Sequence, residues 1–209
     1  MRFTLFLLIF SLKSFAVENK FSTYIDMASN NKLGMNSRWS SLVNAAGIAA
    51  DGSDEDQLKQ IKNFVNSKEW YLRNAAMIAL SKINPLEAMI EAKKLLRDKA
   101  LVVRSAAVEI ISQNLTDEHK KLLIAELSKP YNFHKKNSLW IRKQIIEKLS
   151  TTAEMKDREV FAKSLFDQDK EISHISAKAL ERITGMQINE TGFIRKWKII
   201  VKENNWDTQ

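Results

Sequence analysis

Aromatic and cationic side chains are mixed between Ser128 and Ser138, in the run SKPYNFHKKNS. Tyr131, Phe133 and His134 are interleaved there with Lys129, Lys135 and Lys136, and no acid interrupts them. Aromatic rings set among ammonium groups suit stacking and contact with anions. Two readings stand. The segment is a binding element, or it is a long surface loop whose Tyr and Phe fold back on the core, since lengthening a surface loop costs little. Trp70 and Trp140 also leave two readings, an aromatic rim that holds a peptide or glycan, or packing between structural repeats.

Arg73, Arg104 and Arg142 recur at matching positions, with Asp98 and Asp167 in the turns. A guanidinium fork grips a carboxylate in a directional, two-point manner. The five residues are therefore expected to form a structural ladder and not a catalytic set. His119, His134 and His174 lie at no metal-binding spacing. No nucleophile elbow, phosphate-cradling glycine loop or His-Glu-x-x-His run occurs. Catalysis, a metal and a cofactor are accordingly not expected.

The surroundings of these residues follow from composition. Gly (5) and Pro (2) are scarce in 209 residues, which disfavours the turn-rich sandwiches and barrels. With no Cys, there is neither a disulfide framework nor a thiolate metal site. Arg2, the apolar run from Thr4 to Leu12 and the small residues Ser14 and Ala16 have the layout of a secretory signal peptide. Cleavage near Ala16 would export the chain to the periplasm or the cell exterior. It would also remove Arg2 and Lys13, lowering the formal net charge from +8 to +6. That mild excess permits contact with an anionic surface without demanding it.

Internal repetition sets the architecture. Four segments align without gaps, beginning Leu72-Arg73, Val103-Arg104, Ile141-Arg142 and Ile172-Ser173. Their second positions are 31, 38 and 31 residues apart, a period that points to a solenoid. Each segment is rich in Ala and long-chain residues, so it is expected to be helical. A second amphipathic helix precedes each one, over about 55–66, 85–96, 117–127 and 155–166, with apolar residues three and four apart. Asn84-Pro85 and Thr116-Asp117-Glu118 are helix starts. Cap to Arg is 19 and 20 residues in the first two units but 26 from Thr116 to Arg142. The additional residues of the third unit therefore fall in the 128–138 segment. The predicted organisation is a signal peptide (1–16), a lead-in (17–35) with a short helix near Phe21 to Ala28, helical repeats (36–190), and a capping helix with a polar tail (191–209). Phe193 and Trp197 are expected to cover the last repeat.

The stretch Asp98-Lys99-Ala100-Leu101-Val102-Val103-Arg104-Ser105-Ala106-Ala107, with its counterparts, resembles the short-repeat class of HEAT-like proteins. The close Ala179-Leu180-Glu181-Arg182-Ile183-Thr184-Gly185, followed by a Trp-bearing helix, is similar to the end of many exported bacterial HEAT-repeat proteins. The chain departs from the pattern at Ser173, which replaces the Arg, and at Gln144 and Ile145, which replace the Ala positions. The resemblance implies an all-α solenoid of about four helical hairpins with terminal capping helices. It also implies a scaffold that binds a protein partner. The second helices would line the concave face, with Lys143, Glu147, Lys148, Lys178 and Glu181 among its polar residues. Binding to an anionic polymer or surface (cell wall, lipid headgroup or nucleic acid) through the Lys/aromatic segment is the alternative, and lyase-like activity on a chromophore a more distant one. Nucleic acid is not expected as a partner of an exported chain.

Overall fold

The computed structural model describes residues 19–49, 54–188 and 192–208. The segment 1–16, expected to be a signal peptide, lies outside them. The described chain is all-α apart from one two-residue hairpin. None of its helices is long and apolar enough to cross a membrane.

Among the described residues there are eleven α-helices. They are α1 (19–29), α2 (Met35–Ile48), α3 (Glu55–Asn63), α4 (Trp70–Ile83), α5 (Pro85–Leu95), α6 (Leu101–Ser112), α7 (Asp117–Glu126), α8 (Trp140–Thr151), α9 (Arg158–Ser164), α10 (Lys170–Thr184) and α11 (Phe193–Glu203). Their starts are written in the local sequence. The Asp54 carboxylate accepts from the N–H groups of Asp56 and Gln57, Asn84 accepts from Glu87 N–H ahead of Pro85, and Thr116 accepts from His119 N–H. Such caps satisfy donors that the first helical turn leaves unpaired, each stabilising by about 1 kcal/mol. α10 ends at Gly185, whose φ of 73° is left-handed backbone that favours a residue without Cβ.

The chain forms two compact units, with the boundary between Ile110 and Ile111 inside α6. In the first unit α2 packs along α4, with Ala45 and Ala46 against a helix carrying Ala75, Ala76 and Ala79. Small side chains let the backbones approach, and all five are buried. Trp39 Nε1 donates to Asn74 Oδ1 at 2.9 Å, and Asn74 Nδ2 donates to the Val102 carbonyl at 3.3 Å, linking α2, α4 and α6.

In the second unit α10 packs against α8, α9 and α11. Phe161, Leu165, Ile172, Leu180 and Trp197 are completely buried. Trp197 and Val201 are the buried face of α11, while Phe193 is half-buried with the Lys178 ammonium 4.5 Å from its ring centroid. Trp206, beyond α11, lies under the Arg158 guanidinium at 4.7 Å. The stretch expected as a helix from 155 begins instead as a short 3-10 turn, Met155–Asp157. Asp157 bonds back to Glu154 there, and α9 follows.

Candidate functional site

The turns before the second helices of the first, second and last units are built to one plan. Six residues separate the arginine from a carbonyl it grips: Arg73 Nη1 donates to Ser67 O at 2.9 Å and Arg104 Nη1 to Asp98 O at 2.7 Å. In the last repeat Ser173 Oγ reaches the equivalent carbonyl of Asp167 at 3.0 Å. The turn residue in turn accepts from the N–H two positions on: Ser67 from Glu69, Asp98 from Ala100, Asp167 from Asp169. These bonds fix the entry of α4, α6 and α10.

Two carboxylates then join neighbouring turns. Asp98 receives both Nε and Nη2 of Arg73, at 2.6 and 2.7 Å, across 25 residues. Asp167 receives Arg142, again 25 residues away. Both pairs are nearly enclosed, with side-chain exposures of 9% and 6% for Arg73 and Asp98 and of 11% and 6% for Arg142 and Asp167. Burial pushes the Asp98 carboxyl up. The Arg73 hydrogen bond, the Ala100 N–H and the charges of Arg73 and Arg104 outweigh it, holding Asp98 below its ordinary value of 3.8.

The third unit breaks the plan where its sequence is longer. Six residues before Arg142 stands Lys136, at the tip of a hairpin. Arg142 reaches elsewhere: Nε donates to the Leu127 carbonyl at 2.8 Å, and Nη1 donates to Ser138 Oγ and to Asp167. Ser138 Oγ itself donates to Asp167 at 2.8 Å. Arg142 thus closes the base of the insertion.

The insertion is not an irregular loop. Pro130–Asn132 forms a 3-10 turn, followed by β1 (Phe133–His134) and β2 (Asn137–Ser138), paired antiparallel with Phe133 opposite Ser138. Its two aromatics are tied to the body of the unit, although Tyr131 remains 38% exposed. Tyr131 Oη donates to Glu126 Oε2 at 2.6 Å. Phe133 is half-buried, with the Arg142 guanidinium 4.3 Å from its ring centroid. Asn132, 1% exposed, donates to the Glu126 carbonyl at 2.9 Å. His134, Lys135 and Lys136 are exposed.

Lys135 and Lys136 have φ of 47° and 69°. Positive φ at both central residues is the requirement of a type I′ turn, for which Asn-Gly is the favoured pair. A lysine in that region costs about 1 kcal/mol or more. The turn therefore holds two cations outward in a conformation that their own backbone preference opposes.

The two exposed tryptophans each open a helix. Trp140, 48% exposed, opens α8. Trp70, 44% exposed, opens α4 in the first unit, its ring edge-on to Tyr71 at 5.9 Å. His119 is buried, with Nδ1 2.6 Å from the Asn114 carbonyl, and His174 lies beside Phe193.

One buried pair escaped the sequence reading. Lys120, 4% exposed, donates from Nζ to the Thr152 carbonyl at 2.7 Å and to Asp157 at 2.8 Å, pinning α7 to the end of α8. The only sequence signal was its position: Lys120 lies three residues before Leu123 on the apolar stripe of α7.

The sequence matches no protein-family model and no curated protein.

Proposed function

We propose that this chain is a non-enzymatic interaction module of the HEAT-like α-solenoid kind, exported and holding a protein partner in the cell envelope. The observation that carries this reading is the hairpin at 130–138. A connection that only spanned the distance would need no paired strands, no buried Asn132 and no lysines at positive φ. Its inward side is anchored by Glu126 and Arg142, and its outward side displays His134, Lys135 and Lys136. Loop insertions on repeat proteins collect on the binding face. The arginine–aspartate pairs serve as the frame that fixes the turns, and Trp70 and Trp140 are secondary contact candidates.

Crosslinking of the tagged mature chain in cells, followed by identification of what co-purifies from the envelope, tests the reading. A reproducible protein partner that is lost in Lys135→Glu/Lys136→Glu supports it, and a partner unaffected by that reversal overturns the role of the hairpin. The absence of acids between Ser128 and Ser138 favours a second reading, an anionic polymer or surface as partner. Sedimentation of the chain with envelope material in a steeply salt-dependent manner would establish that alternative.

A further inference from the structure

Beside the hairpin the second unit contains an open groove of about 660 Å³. α7 contributes Ile124 and the residue just past its end, Leu127, while α9 contributes Val160 and β1 contributes Phe133. Ile124, Val160 and Phe133 are all half-buried, so this apolar lining is wet. The volume falls within the roughly 300–1,000 Å³ of ordinary ligand sites. Nothing in the helical repeat requires the gap. A repeat covers its apolar face with its neighbours, yet here four large apolar side chains face a common space.

Charge is distributed unevenly around it. Arg142, Lys156 and Lys163 line the groove, against one acid, Glu159. Lys163 is paired with Glu159, and Lys156 with Asp117 and Glu154 at 2.7 and 3.3 Å. The uncompensated charge comes from the hairpin. Phe133 belongs both to the groove and to an acid-free segment bearing Lys129, Lys135 and Lys136, and Lys135 and Lys136 are exposed at the tip of its turn. Phe133 therefore joins the apolar lining to the strand that leads directly into the Lys135–Lys136 turn.

We infer that this groove receives an acidic, amphipathic peptide segment of the partner protein, its apolar side chains lying among Ile124, Phe133 and Val160 and its carboxylates meeting Lys135 and Lys136. The inference rests on the interaction-module reading and names the kind of segment recognised. An acyl chain fits less well. Such ligands bury most of their surface, whereas this groove is open along one side and carries Glu159 at its margin. A peptide brings its own polar backbone to that open side.

The probe is a short fluorescein-labelled peptide of alternating Glu and Leu pairs, titrated by anisotropy into the full mature chain. Saturable binding is expected. Val160→Trp, which fills the groove from a half-exposed position, should weaken it by about tenfold or more, the equivalent of ~1.4 kcal/mol. Ile124→Ser provides an independent variant, and the helical circular dichroism of both should match the parent. Lys135→Glu/Lys136→Glu should weaken binding and flatten its salt dependence. Loss with the lysine variant but none with Val160→Trp or Ile124→Ser overturns the groove and leaves the hairpin reading standing. Loss with Val160→Trp and none with the lysine variant retains the groove but overturns its pairing with hairpin charge, and with it the acidic character of the segment. Tighter binding of a Lys/Leu peptide, or binding of laurate that Val160→Trp abolishes and the Glu/Leu peptide does not match, overturns the peptide assignment.

Discussion

The guanidinium of Arg142 lies 4.3 Å from the ring centroid of Phe133 while its nitrogens bond Leu127, Ser138 and Asp167. One side chain thus joins α7, the hairpin, α8 and the turn before α10. Arg142→Ala leaves the Asp167 carboxylate enclosed without its cation. Removing one member of a buried ion pair costs roughly 3–5 kcal/mol, and that loss is expected in urea midpoints. Arg142→Lys should recover less than half of it, because an ammonium cannot make the planar fork or lie flat on the ring. Full recovery by Lys would show that charge alone matters there.

The hairpin tip makes the opposite prediction. Replacing Lys135 and Lys136 by Asn and Gly supplies the residues that a type I′ turn favours. Stability should rise by about 1 kcal/mol, read as a shift of the urea midpoint at constant slope. If the lysines are there for the partner, crosslinking should fall in the same variant. An unchanged or lower midpoint would mean that the turn is not strained as its φ values of 47° and 69° imply.

Asp98 gives the pH prediction. Its folded-state carboxyl is held below the ordinary 3.8, through partners that outweigh the effect of burial. A depressed folded value means that the unfolded chain takes up the proton first. The stabilisation is therefore complete above about pH 5 and is lost as pH falls through and below ~4. Asp98→Asn should be less stable than the parent by a margin that is constant near neutrality and shrinks in that acid window. A margin that widens on acidification would contradict the assignment.

Trp197 is completely buried between α11 and its neighbours in the second unit. Trp197→Ala should cost about 3–5 kcal/mol, the usual range for a core aromatic. Trp206→Ala, which loses the Arg158 contact from a half-buried position, should cost less, about 1 kcal/mol. Thermal or urea unfolding followed by circular dichroism distinguishes the two. Equal losses would mean that Trp206 contributes as much to the packing of the second unit as the buried face of α11.

The helical class was legible because its signals are local. Apolar residues three and four apart, Asn84-Pro85, and Thr116 before two acids each act within a turn of chain, and each marks an observed helix or cap. The length difference of the third unit was equally plain, since it needs only counting from Thr116 to Arg142. The form of the inserted segment was not. Lys-Lys is a poor type I′ pair by preference, so its turn is set by Asn132, Tyr131 and Phe133 being held from below by Glu126 and Arg142. Nor could the stripe of α7 show that Lys120 ends at Asp157, 37 residues on.

By itself the sequence determined a chain of short helices at a regular period, because helix propensity, capping and amphipathic spacing depend on neighbours within four positions. It also determined where the period fails. Only the tertiary structure decided that Arg142 abandons the carbonyl its counterparts use, that Phe133 turns inward while Lys135 and Lys136 turn outward, and that α7 and α9 leave a groove between them. Those outcomes depend on which groups meet along the chain at separations of 9 (Phe133 to Arg142), 15 (Leu127 to Arg142) and 36 residues (Ile124 to Val160). A buried charge or an unpaired carbonyl takes whichever partner the packing brings within reach.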